Sequence, residues 1–278
     1  MSNPSSIPFV KASAYGNDFL IIDRKHQGSD PAALTRSLCN RHNGIGADGV
    51  EWTSQRPGAD VHIELINADG SFAELSGNGT RCVAATLAAN QPTMPSEAQS
   101  VTQGGEEFVI STDAGPRRCR LTGRSGNRYD FLTEMGHPEV GLPFAVKVGS
   151  LSREGVPVSM GNPHFVIFVE EFASEWQRES QLIQSRADLF PEGVNVEWVQ
   201  FRAAGEAVIR IFERGAGETQ SSGTGTSAAA SAAIAVRKAP EKLLVLAPGG
   251  AQRVEWHPGQ PLLLEGSAVL ICQGEFFL

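Results

Sequence analysis

The chain has 278 residues, 41% of them hydrophobic, and a formal net charge of −8, a length that suits two domains of ordinary size. That acidic balance, with a pI near 5.3, argues against nucleic acid or an anionic membrane as the main partner. Four scattered cysteines, Cys39, Cys82, Cys119 and Cys272, make no disulfide framework and point to a reduced, cytoplasmic setting.

The start, Met1-Ser2-Asn3-Pro4, lacks the basic-then-apolar pattern of a signal peptide. Pro31 to Cys39 reads as a short helix with Asp30 as its N-cap. Val61 to Leu65 alternates apolar and polar residues, as a half-buried strand does. After Ser76 an apolar run to Ala89 reads as a helix. The stretch 90–106 reads as loop, and a half boundary is expected near Gly123 to Asn127. Alternation at Val156, Val158 and Met160 marks a strand, and the run Phe165 to Val169 a buried one. Glu175 to Ile183 reads as a polar helix, with Ser174 and Gln177 at capping-box spacing. Val208 to Phe212 is a further strand, and a second apolar helix follows Ser222 and runs to Val236. Ser231 and Arg237-Lys238 interrupt that run short of the roughly 18 apolar residues of a membrane span. A last strand, Val269 to Phe277, is expected to return to the first half.

The chain repeats itself. Ser76-Gly77-Asn78-Gly79-Thr80 recurs as Ser222-Gly223-Thr224-Gly225-Thr226 after 146 residues. Gly16-Asn17-Asp18 recurs as Gly161-Asn162-Pro163 after 145, and Asn67 is matched by Glu213 after 146. The expectation is an α+β chain of two pseudo-symmetric domains facing a shared cleft. Each is a β-barrel-like sheet wrapped around a small-residue helix, since a helix apolar on every face is normally surrounded. The first half is 1–124, rejoined by a C-terminal strand 268–278, and the second is 125–267.

A Gly-x-Gly helix start leaves backbone N–H groups open, and the helix dipole adds about half a positive charge there. Such an end binds anions, and two of them could hold one carboxylate from both sides. Asn17, Asn67, Asn78, Asn162 and Asn195 lie beside Gly or Pro or at strand ends, where carboxamides can grip both ammonium and carboxylate. Arg214 can clasp a carboxylate bidentately. The alternative is structural: Ser76 and Ser222 as plain N-caps, the asparagines as turn residues. Duplication favours the site. Gly44-Ile45-Gly46-Ala47-Asp48-Gly49 matches a nucleotide-loop pattern, but polar residues precede it where a strand is needed. Cys39-Asn40-Arg41-His42 has no second pair to complete a zinc site.

These motifs resemble those of the diaminopimelate epimerase family. The carriers are Gly16-Asn17-Asp18-Phe19, Gly44 to Gly49, Asn67-Ala68-Asp69-Gly70-Ser71, Gly77-Asn78-Gly79-Thr80-Arg81-Cys82, Gly161-Asn162-Pro163-His164, Asn195-Val196, Glu213 to Thr219, Pro248-Gly249-Gly250 and Gly274-Glu275-Phe276, in family order over nearly the whole chain. The resemblance implies an isomerase without a cofactor that inverts one α-carbon of LL-diaminopimelate to the meso form, on the route to lysine and peptidoglycan. It implies a small amino-acid substrate and a homodimer. It assigns substrate contacts to Asn17, Asn67, Asn162, Asn195, Arg214 and Glu213. Gly77-Asn78 and Gly223-Thr224 would take the reacting carboxylate, and His164 and Glu213 would assist the catalytic side chains.

The family uses two cysteines, one thiolate removing the α-proton and one thiol returning it. Both positions are serine here, Ser76 and Ser222. A thiol has a reference pKa of about 8.5; a serine hydroxyl is a far weaker acid. Cys82, six residues into the first helix, reads as core. Two explanations stay open: a working epimerase changed Cys→Ser at both sites, or a natural relative that carries out other chemistry, such as another amino-acid isomerisation or an elimination, or that only binds an amino acid.

Overall fold

A computed structural model describes residues 6–90 and 105–278. The expected loop 90–106 and the start Met1 to Pro4 therefore fall largely or wholly outside the described residues. The chain divides into two units, 1–133 with 266–278, and 134–265.

In the first unit β1 (Ser6–Ala14), β2 (Asn17–Asp23), α1 (Pro31–Cys39), β3 (Gly49–Ser54), β4 (Val61–Asn67), β5 (Phe72–Ala73), α2 (Gly77–Asn90), β6 (Glu107–Thr112), β7 (Gly115–Ser125) and β8 (Arg128–Glu134) follow one another. In the second come β9 (Glu139–Val140), β10 (Phe144–Val148), β11 (Leu151–Ser159), β12 (Pro163–Phe168), α3 (Trp176–Gln184), β13 (Asn195–Ala203), β14 (Glu206–Glu213), β15 (Gly217–Thr219), α4 (Gly223–Arg237), β16 (Lys242–Ala247), β17 (Gly250–Glu255) and β18 (Leu263–Phe277). The C-terminal strand is longer than expected. It starts in the second unit beside β17 and, from Gly266 on, belongs to the first, where it pairs with β1.

Both units use one topology. β1–β2 and β11–β12 are antiparallel, with Val10 opposite Ile21 and Val156 opposite Val166. β2–β3 and β12–β13 are parallel, with Phe19 opposite Gly49 and His164 opposite Asn195. β3–β4 and β13–β14 are antiparallel, with Val50 opposite Ile66 and Val196 opposite Phe212. In the first unit β4 pairs with β6, β6 with β7, β7 with β8, and β8 with β18, which returns to β1. The sheet thereby closes on itself. In the second, Met135 N–H and Gly136 C=O bond to the backbone of Leu262 at 2.8 Å each, joining that unit's first and last segments.

The centre of each barrel is a helix. Gly77 to Thr86 of α2 and Gly223 to Ile234 of α4 are all buried, amid strand residues such as Phe108 and Phe131 in one core and Val199 and Leu264 in the other. Alanine, glycine, serine and threonine suit the position. Their small volume lets strands approach the helix from all sides, and alanine keeps helix propensity high. Some buried hydroxyls bond back to the helix backbone, as Ser227 Oγ does to Gly223 C=O at 2.8 Å, while Thr226 Oγ1 donates to Gln252 Oε1 at 2.9 Å.

A second layer repeats outside each barrel. α1 covers Trp52, whose indole N–H donates to Thr35 Oγ1 at 3.2 Å. α3 covers Trp198, whose indole N–H donates to Ser180 Oγ at 2.8 Å. Asp30 caps α1, its carboxylate accepting from Ala33 N–H at 2.9 Å. The capping box expected for α3 does not form. Glu175 takes the cap position without a side-chain bond, and Gln177 turns to Glu218 at 3.2 Å. Burial of Trp176 and Ile183 sets where this helix begins and how it lies. The boundary expected near Gly123 to Asn127 is a hairpin turn between β7 and β8, with Gly126 at φ +59°, and the units divide beyond it, after Thr133. Met160 lies just beyond β11.

Ser180→Ala strands the indole N–H of a fully buried tryptophan. Unfolding in urea is expected to show a loss of about 1–3 kcal/mol; an unchanged midpoint would contradict this role for the pair.

Candidate functional site

In the first unit Ser76 stands immediately before α2. Its Oγ accepts Gly79 N–H at 3.0 Å, and its carbonyl accepts Thr80 N–H at 2.8 Å. It is an N-cap by geometry, but the N–H groups of Gly77 and Asn78 ahead of it have no capping partner of this kind. Asn78 is buried, and its amide N–H₂ donates to Asn17 Oδ1 at 2.7 Å. The buried Arg81 guanidinium donates to Asn78 Oδ1, and Asn17 Nδ2 in turn donates to Asp48 Oδ2 at 3.3 Å. Arg41 closes this chain, bonding Asp48 and Asp18 at 2.7 Å each. Asp18, which Lys11 also meets at 2.9 Å, is held below the ordinary carboxylate range by these cations despite its partial burial. A cation at one end and carboxylates at the other thus fix which way both carboxamides point. Asn67, at the end of β4, donates to Ser71 Oγ at 3.0 Å.

In the second unit Ser222 caps α4 in the same way, its Oγ accepting Gly225 N–H at 3.1 Å and lying 3.3 Å from Thr224 Oγ1. Burial raises the Glu213 carboxyl, and a hydrogen bond with the Ser222 side chain lowers it in part, leaving it above the ordinary range. Asn162 Oδ1 faces His164 Nε2 at 2.9 Å, and Asn162 Nδ2 reaches Thr224 Oγ1 at 3.5 Å. His164 Nδ1 lies 2.8 Å from Glu197 Oε1, with both side chains fully buried. The group Ser222, Glu213, Thr224, Asn162, His164 and Glu197 is therefore one continuous polar cluster at the start of α4.

Two expected substrate contacts, Asn195 and Arg214, have protein partners. Asn195 spends its amide on structure, donating to Pro163 C=O at 3.1 Å and accepting Arg214 N–H at 2.9 Å. It braces β12 against β14 where the parallel pairing needs a bridge. The Arg214 guanidinium turns to Glu192 C=O. The glycine loop 44–49 closes α1: Ile45 and Gly46 N–H bond to Leu38 C=O at 2.9 and 3.1 Å, and Ala47 N–H to Cys39 C=O. Those amides satisfy helix-end carbonyls and are not free for a phosphate.

Glu51 and Glu197 were not read from the sequence as site residues. Each is fully buried on the third and thirteenth strands, 146 residues apart, and each lies under the first turn of its central helix. A Cβ on Gly79 would meet Glu51 Oε1 at 1.8 Å, and one on Gly225 would meet Glu197 Oε1 at 2.8 Å. The glycines of the repeated motif are thus needed partly to make room for these carboxyls. The available signal was the pair Glu51-Trp52, recurring as Glu197-Trp198 at the repeat offset. Burial raises both carboxyls, Glu51 to about 8. In the second unit His164 partly offsets the effect; in the first, Phe19 stands at the matching place.

No cysteine takes part at either tip. Cys82 is fully buried, with its thiol pushed above its ordinary range, and burial raises Cys39 to about 12 and Cys119 to about 11. The hydroxyls at 76 and 222 therefore stand at the starts of the two central helices, with Glu51 beside the first and Glu213 beside the second, and carboxyls are groups that can exchange protons.

Solved structures of the same fold include an epimerase, an isomerase and phenazine biosynthesis proteins of the PhzF family. A hydroxyproline epimerase from Agrobacterium vitis, with bound trans-4-hydroxy-L-proline, superimposes with a TM-score of 0.72 at 14% identity, over 98% of this chain and 91% of its own. A methylitaconate-delta-isomerase does so at 0.67 and 12%, over 100% and 96%. The family model described as diaminopimelate epimerase matches residues 9–129 and 156–271. Diaminopimelate epimerases from Pelotomaculum thermopropionicum and a Synechococcus strain are 33% and 34% identical, covering 96% and 98% of this chain and 98% of each relative. The chain belongs to the diaminopimelate epimerase family, a family of isomerases. No helix among the described residues is long and apolar enough to cross a membrane.

Glu51 also sets a pH dependence. Its folded-state pKa, near 8, exceeds its unfolded value of about 4.3, so the native state binds more protons between the two and stability falls as pH rises. The slope is on the order of 1 kcal/mol per pH unit. Glu51→Gln removes this loss. Urea unfolding from about pH 5 to about pH 8 is expected to show the variant gaining on the parent as pH rises; a constant difference would contradict it.

Proposed function

We propose that this chain recognises LL-diaminopimelate and carries the site for cofactor-independent, two-base inversion of its α-carbon to the meso form, the step leading to lysine and peptidoglycan. Serine at both base positions slows the proton transfers. The observation that carries this reading is the Ser222 cluster. A hydroxyl stands where the family resemblance calls for a thiol, capped onto Gly225 N–H at 3.1 Å and next to the raised Glu213 carboxyl. Ser76 has the same cap geometry, 3.0 Å from Gly79 N.

In this reading the open N–H groups of Gly77-Asn78 and Gly223-Thr224 take the carboxylate of the reacting centre, and the helix dipoles stabilise the negative charge that grows on it as the proton leaves. Ser76 and Ser222 take the two base positions. Asn17, Asn67, Asn162 and Arg214 contribute to holding the substrate, and Asn195 does so by bracing the strand ends. His164 and Glu213 support the proton-transferring side chains. Serine keeps nearly the size and shape of cysteine, so binding persists while acidity is lost. Each tenfold in rate corresponds to about 1.36 kcal/mol of barrier.

Calorimetry is expected to detect LL-diaminopimelate binding, and absence of heat at millimolar ligand would contradict the recognition. Deuterium uptake from D2O at the α-carbon tests the chemistry. The combined change Ser76→Cys and Ser222→Cys is expected to raise uptake at least ~100-fold, about 2.7 kcal/mol. Binding with equal uptake in both forms would leave an amino-acid binder or a different reaction.

A further inference from the structure

Glu51 is the one fully buried carboxyl at a helix tip with neither oxygen hydrogen-bonded among the described residues. Burying a carboxyl without a partner is costly, and a structural role would be met more cheaply by an apolar residue of the same size. Its matching residue, Glu197, has His164 Nδ1 at 2.8 Å. The surroundings of Glu51 are otherwise apolar or neutral. Its cross-strand neighbours on β2 and β4 are Ile21 and Leu65. From α2 the Cys82 thiol feels its charge, and burial keeps that thiol neutral. α1 packs on the other face of β3, against Trp52.

What Glu51 does meet is the first turn of α2. The position of a Cβ on Gly79 is 1.8 Å from Glu51 Oε1 and 3.2 Å from Ser76 Cβ, so carboxyl and serine border the same small space. We propose that Glu51 is the proton acceptor behind Ser76, the serine hydroxyl relaying between an amino-acid α-carbon at the tip of α2 and the buried carboxylate. This rests on the reading of that tip as an amino-acid site. In the step, the Cα–H bond breaks and its electron pair stays on the substrate, delocalised into its carboxylate. The proton forms a new bond to Ser76 Oγ as the hydroxyl's own proton passes to a Glu51 oxygen. The reverse sequence returns a proton to carbon, or a deuteron once Glu51 and Ser76 have exchanged with D2O. The relay needs no reagent beyond substrate and water. It gives a serine what it lacks alone, a neighbouring base that titrates near operating pH.

The burial that raises Glu51 to about 8 makes the relay pH-dependent. Above that value the carboxylate can accept a proton; below it the relay stops. The test uses the full chain with LL-diaminopimelate, following α-deuterium uptake from about pH 6 to about pH 9. The parent is expected to exchange faster as pH passes through about 8. Glu51→Gln is expected to lose that rise, falling at least ~10-fold behind at the alkaline end and equalling the parent at the acid end. Ser76→Ala is expected to lose the same limb, and adding Glu51→Gln to it is expected to change nothing further. Calorimetric affinity stays that of the parent in Glu51→Gln. A uniform drop at every pH, or additive losses in the double variant, would reduce Glu51 to a structural residue and overturn the relay. Undetectable exchange by the parent, or exchange unaffected by Glu51→Gln, would also overturn it. No binding by any form would instead sink the amino-acid reading itself.

Discussion

A helix whose first turn is buried must have its leading amide N–H groups met, and much at this site follows from how they are met. Serine takes one of them in each unit, Gly79 N–H by Ser76 and Gly225 N–H by Ser222. In the proposed reading the positive end of each helix dipole favours an anion there. The same enclosure governs acidity. Carboxyls set under those first turns lose their water and rise, and thiols deeper in the barrel are silenced outright.

Small residues make this arrangement possible. Glycine at 79 and 225 leaves room for a carboxyl against the backbone, and the alanines behind them let the strands close around the helix. Outside the barrels, two tryptophans tied to α1 and α3 fix the strands that carry those carboxyls. Residue 52 anchors outward while residue 51 points inward, as strand alternation requires. Core packing and site chemistry are therefore neighbours on one strand.

Much of this was legible in the sequence. The repeat offset exposed two copies of one fold, the apolar helices announced that they were surrounded, and Asp30 before Pro31 marked a helix start that Ala33 N–H confirms at 2.9 Å. Less legible were features set by tertiary pairing. Asn195 looked like a ligand-gripping amide because its two backbone partners, Pro163 and Arg214, come together only when β12 and β14 flank β13. Gly126 looked like a boundary because a hairpin turn and a linker ask for the same residue types. Strands of two or three residues, such as β5 and β15, are too short to show a period. Glu51 is hard to place because a lone glutamate in a strand looks solvent-facing; only its recurrence as Glu197 beside a second tryptophan marks it as buried.

The units differ at the buried glutamate in a way that bears on chemistry. Where the second places His164 against its buried glutamate, the first has Phe19 and a bare carboxyl. The central proposal is simpler than this asymmetry: an amino-acid carboxylate seats at these helix starts. Amide resonances in nitrogen-15 spectra, followed as LL-diaminopimelate is added, test it most directly. The account predicts that Gly77, Asn78, Gly223 and Thr224 shift most and saturate together at one concentration. Shifts that leave either tip untouched, or that cluster elsewhere on the chain, would contradict it.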